Sequence, residues 1–69
     1  MKFSADDVYE VRRAMSKQEG RLVRQKDCAD IVGVSRRTWI RWEQRGIPWN
    51  CDYFKQRAFE KLRDDVLAE

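Results

Sequence analysis

Apolar side chains recur at Val8, Val11 and Met15, the spacing of three and four that places them on one face of a helix. Ser4 can cap that helix, and Asp7 three residues on can answer it. Asp6 and Asp7 stand at the positive end of the helix dipole, with Phe3 and Val8 flanking the cap as a hydrophobic staple. The pattern predicts a helix from Ala5 to about Lys17, with Tyr9 near its edge and Gly20 as its stop. A short second helix follows from Gln25 to Val32, turning Cys28, Ala29 and Val32 inward and ending at Gly33 in a left-handed conformation. Ser35 then caps a third, from Arg36 to about Gln44, by accepting from the Thr38 amide, and Gly46 and Pro48 stop it. After a turn through Ile47, Pro48 and Trp49, Asn50 is predicted to cap a last helix over about 51–67. Phe54, Ala58, Phe59, Leu62 and Val66 share one broad stripe on it, with Tyr53 and Leu67 outside. The fold class is all-α, a compact four-helix domain.

The third predicted helix carries two chemistries on opposite sides. At about 100° per residue, Arg37, Ile40 and Arg41 fall within about 140° of Arg36, whereas Trp39 and Trp42 point the other way. The indoles are suited to a core, and the guanidinium groups are held outward on a rigid rod.

Composition narrows the picture. Sixty-nine residues with 42% hydrophobic side chains make one domain, 1–69, with a single small core. The apolar runs are short and the opening MKFSADD has no apolar signal core, so a cytoplasmic chain that enters no membrane is expected. There is no histidine, and the only cysteines, Cys28 and Cys51, form no ligand pair; no metal or other cofactor is expected. In a reducing compartment the two cysteines read as small apolar side chains, a disulfide between them being the alternative. Nor does any Ser or Cys sit in a recognisable activating pattern, so an enzyme is not expected. Basic and acidic residues balance at four each over residues 1–20, stand at seven against three over 21–45, and at four against five over 46–69. The positive excess lies in the middle third, which suggests a partner carrying phosphates.

The unit from Gln25 to Gln44 resembles the helix-turn-helix of the Cro/Xre family of small phage repressors, a lambda-repressor-like arrangement. The resemblance rests on Ala29, Gly33, Trp39 and Trp42, with Cys28, Val32 and Val34 at the other apolar positions. Ala29 is small where the helices approach, Gly33 makes the turn, and the tryptophans seal the second helix of the motif against the first. VSRRTWIRWE looks like that family's recognition helix, which implies that it enters the major groove of double-stranded DNA with Arg36, Arg37, Ile40 and Arg41 at base edges. Gln25, Ser35 and Thr38 near helix starts, with Arg21, Arg24, Lys26 and Arg45, are then the candidates for phosphate contact. The family also implies that Glu43 pairs with Arg12 or Arg13. No small-molecule ligand is implied.

Plainer readings stand beside these. Arg12, Arg13, Arg57 and Arg63 read as a solvated face, and Ile40 either touches a thymine methyl or packs against the last helix. Trp49, Phe54, Phe59, Leu62 and Val66 either close the core or meet a second copy of the chain; a core this small is not expected to absorb them all, which points to a homodimer on an inverted repeat. The expected function is transcriptional regulation, as a repressor, and the short chain also looks like the small autorepressors encoded beside anti-CRISPR genes. The rivals are an excisionase-like accessory factor that bends DNA, and a protein-interaction module of antirepressor kind whose arginines meet an acidic partner.

Overall fold

A computed structural model describes residues 2–68 as four helices: α1 (Ala5–Glu19), α2 (Gln25–Val32), α3 (Arg36–Arg45) and α4 (Tyr53–Leu67). The chain is all-α, and its radius of gyration of 10.9 Å is that of one folded body, about 11 Å being expected for this length. Among the described residues no helix is long and apolar enough to cross a membrane.

Local chemistry sets most boundaries. Ser4 Oγ accepts from the Asp7 N–H at 3.1 Å and Asp7 Oδ2 accepts from the Ser4 N–H at 3.0 Å, the reciprocal cap that starts α1. α1 runs to Glu19, two residues past the expected end, and stops where Gly20 turns left-handed. The connection to α2 is tied down rather than loose: Ser16 Oγ accepts from the Val23 N–H at 3.0 Å, and Val23 is buried. α2 and α3 are joined by Gly33, Val34 and Ser35. Gly33, at φ 85°, lets its own N–H and that of Val34 both donate to the Ala29 carbonyl, at 2.8 and 2.9 Å. Ser35 caps α3 through the Thr38 N–H, as expected.

The start of α4 differs from the expectation. Asp52, not Asn50, is the cap: its Oδ1 accepts from the N–H groups of Phe54 and Lys55 at 2.9 and 3.3 Å. The Cys51 N–H donates to the Pro48 carbonyl, so Asn50 lies inside a turn and the helix opens at Tyr53. Gln56 Nε2 holds that turn by donating to the Trp49 and Cys51 carbonyls. On the other side of the turn, Ile47 forms an antiparallel bridge with Phe3, the Ile47 N–H donating to the Phe3 carbonyl at 2.8 Å. The bridge draws the N-terminal segment across the α3–α4 junction and buries Ile47.

Phe59 centres the core. Its ring lies 4.9 Å from Phe3, 5.9 Å from Trp39 and 6.1 Å from Trp42, centroid to centroid. Val8, Val11, Met15, Val23, Cys28, Ala29, Val32 and Ile47 complete it. Phe59, expected on a dimer face, is 0% exposed and belongs to the monomer's core instead. Leu62 and Val66 also pack against that core, keeping part of their surface. Phe54 leaves the stripe: five residues before Phe59, it lies about 140° around the helix and is 79% exposed. Both cysteines are free thiols, so the disulfide alternative falls. Cys28 Sγ sits 3.7 Å from Met15 Sδ, and burial pushes its thiol up to about 12.

Candidate nucleic-acid interface

Everything that orients α3 acts on its inner side. Trp39 and Trp42 are 0% and 2% exposed, their rings 6.1 Å apart. Beneath them Glu43 gathers three helices at one carboxylate: it accepts from Arg12 Nε and Nη2 on α1 at 2.7 and 3.0 Å, from Gln25 Nε2 on α2 at 3.2 Å, and from Trp39 Nε1 on α3. Burial opposes the charge of Glu43, but the hydrogen bonds from Arg12, Trp39 and Gln25 outweigh it and hold the carboxyl below its ordinary value. The same hydrogen bond to Glu43, against the cost of burial, holds the Arg12 guanidinium above its ordinary value. Arg12 is thus the partner of Glu43 and leaves the solvated face, whereas Arg13 stays exposed.

The outer side of α3 is left to solvent. Arg36, Arg37 and Arg41 are exposed, and among the described residues none is in an ion pair. Ile40 is half-buried and lines a shallow hollow with Arg37, Arg41, Gln44 and Arg45, all on α3. Among the described residues Ile40 is not one of the partly buried side chains packed against the core, and the hollow it lines is made of α3 side chains. All four expected base-contact residues therefore lie along one side of one helix.

The expected phosphate contacts divide. Arg24 and Lys26 are exposed and line a hollow with Arg12, Leu22, Gln25 and Arg36, which brings the N-terminal ends of α2 and α3 to one place. Ser35 and Thr38 meet at the start of α3, their hydroxyl oxygens 3.0 Å apart, and Thr38 lines a different hollow, with Arg41, Arg45 and Trp49. Arg45 stands at the far end of α3, beside Arg41, Pro48 and Trp49. Two of these residues also have partners within the fold. Gln25 donates its amide to Glu43 while lining the same hollow as Arg24 and Lys26. Arg21 lies 3.3 Å from a Glu19 carboxylate oxygen and 3.7 Å from one of Asp27, in pairs exposed to solvent. Gln44 was missed by sequence reasoning, although it stands about 80° from Arg36 on the helical wheel and its place among the arginines could have been read there.

A second exposed feature adjoins this surface. Trp49, Tyr53 and Phe54 are 69%, 67% and 79% exposed, with the Tyr53 and Phe54 rings 5.8 Å apart. Trp49 shares a groove with Arg41 and Arg45, which sets that indole beside the basic side of α3. Lys2 Nζ lies 5.5 Å from the Trp49 ring, adding one more cation at that edge.

No protein-family profile, curated protein or solved structure matches the chain.

Proposed function

We propose that the chain is a sequence-specific DNA-binding transcriptional regulator of helix-turn-helix type, acting in the cytoplasm as a repressor. The observation that carries this reading is the division of α3: Trp39 and Trp42 buried on one side, and Arg36, Arg37 and Arg41 exposed on the other and, among the described residues, in no ion pair. Cations that compensate a fold's own acids do not need such placement. A row of guanidinium groups on a rigid rod suits bidentate donation to guanine O6 and N7, each good pair contributing roughly 1 to 3 kcal/mol of discrimination. Arg24 and Lys26 then meet phosphates beside the groove and fix register without reading sequence.

The active species in this reading is a two-fold dimer joined through Trp49 and Phe54, with Tyr53 added to the face and Phe59 removed from it. Three aromatic rings this exposed, two of them in contact with each other, are the apolar surface that supports a partner here.

DNase footprinting and gel shifts on the DNA upstream of the chain's own gene test the proposal. One symmetric footprint on an inverted repeat is expected. Several adjacent sites with strong bending would favour the accessory-factor rival, and no shift at low salt would leave the protein-interaction module.

A further inference from the structure

The chain has four glutamines, and three of them use their side-chain amide inside the fold. Gln18 Nε2 donates to the Val66 carbonyl at 2.6 Å, Gln25 Nε2 to Glu43 at 3.2 Å, and Gln56 Nε2 to the Cys51 carbonyl at 2.6 Å. Gln44 is exposed, and among the described residues its amide meets no partner. Its position on α3 is specific: about 20° around the axis from Arg37 and about 40° from Ile40, in the middle of the outward side. It lines the same shallow hollow as Arg37, Ile40, Arg41 and Arg45.

A side built only to hold phosphates gains little from a neutral amide among its cations. Where base edges are read, an amide has a distinct use, since it presents a donor and an acceptor together, matching adenine N7 and N6 as a guanidinium matches guanine O6 and N7. From Arg36 to Gln44 the axis advances about 12 Å, which spans three to four base pairs at about 3.4 Å each. We infer that Gln44 is a specificity-determining residue that reads an A·T pair, at the end of the half-site opposite to the pair read by Arg36. The inference rests on the reading of α3 proposed above. It extends that reading from guanine contacts at the start of the helix to a frame running its whole length, with Ile40 placed one turn before Gln44 to meet a thymine methyl between the two ends.

Operators selected by the wild-type chain from randomised duplexes, followed by affinities for all four bases at every position, test the inference in wild type, Gln44→Ala and Gln44→Arg. Wild type should prefer A·T at one outer position by roughly 5- to 150-fold. Gln44→Ala should erase that preference there alone, and Gln44→Arg should move it to G·C. Far-UV circular dichroism should be unchanged in both variants, because Gln44 holds nothing in the fold. The non-specific salt slope of Gln44→Ala should equal that of wild type, since no charge is lost. An unchanged base preference at every position in Gln44→Ala overturns the inference and leaves the DNA reading standing, and so does loss of a preference for a pair other than A·T. A wild-type chain that selects no sequence overturns both.

Discussion

Replacing Glu43 by glutamine removes one negative charge from the point where α1, α2 and α3 meet. The glutamine keeps an acceptor oxygen but sets an NH2 group against donors that all point inward: two from Arg12, one from Gln25 and one from Trp39. Hydrogen bonds to a charged group contribute roughly 1.5–3 kcal/mol each, and a buried donor left without an acceptor costs about 1–3 kcal/mol. The Glu43 side chain is 9% exposed but that of Arg12 is 20%, so water re-solvates part of what is lost, and the effects are not additive. A destabilisation of about 2–4 kcal/mol is expected, against a total of only about 3–10 kcal/mol for a domain of this length. Urea titration by circular dichroism reads it as a lower midpoint at unchanged slope. The same measurement across pH carries the sign of the effect. Because the folded carboxyl is held below its ordinary value, the unfolded chain binds the proton more readily. The contribution of Glu43 is therefore complete above the ordinary carboxylate range and is lost as pH falls through the lowered value. Glu43→Gln should flatten that acid limb. A midpoint within about 0.5 kcal/mol of wild type, with the acid limb intact, would refute the idea that this carboxylate ties the three helices together.

Phe59→Ala removes the ring that Phe3, Trp39 and Trp42 surround; a loss of about 3–5 kcal/mol is expected, which thermal denaturation should register as a chain largely unfolded at 37 °C. The paired change Trp49→Ser and Phe54→Ser should shift stability by no more than about 0.5 kcal/mol, because both rings are exposed, yet it should lower the association constant in sedimentation equilibrium. Arg24→Ala and Lys26→Ala should each weaken binding to all DNA sequences alike and flatten the log–log salt dependence by about 0.9, as read by fluorescence anisotropy at several salt concentrations.

Elements that carry their own punctuation could be read from the chain alone. Ser4 with Asp7, Ser35 with Thr38, and the glycines at 20, 33 and 46 are local signals, and the starts of α1 and α3 and the ends of α1, α2 and α3 fall where those signals lie. Non-local contacts decided the rest. Asn50 and Asp52 are both able to cap, and the turn closed by Pro48 and Cys51 and held by Gln56 selects the second. The burial of Ile47 depends on its bridge to Phe3, more than forty positions away in the chain, and no periodicity announces such a pairing. Phe54 and Phe59 stand about 140° apart around α4, too far to share one face, and the ring cluster of Phe3, Trp39 and Trp42 forms around Phe59. At the candidate site, the outward arginines followed from helical geometry, whereas the bond from Gln25 to Glu43 and the pairing of Arg21 followed from neighbours on other segments.

The central claim is that α3 presents Arg36 and Arg41 to base edges from an anchored scaffold. Fluorescence anisotropy with a selected operator and a scrambled duplex, on wild type, Arg36→Ala and Arg41→Ala at one salt concentration, tests it most directly. Each variant should keep its helical circular dichroism, bind scrambled DNA nearly as wild type does, and lose most of the operator's advantage. Full operator preference in both variants would contradict the account.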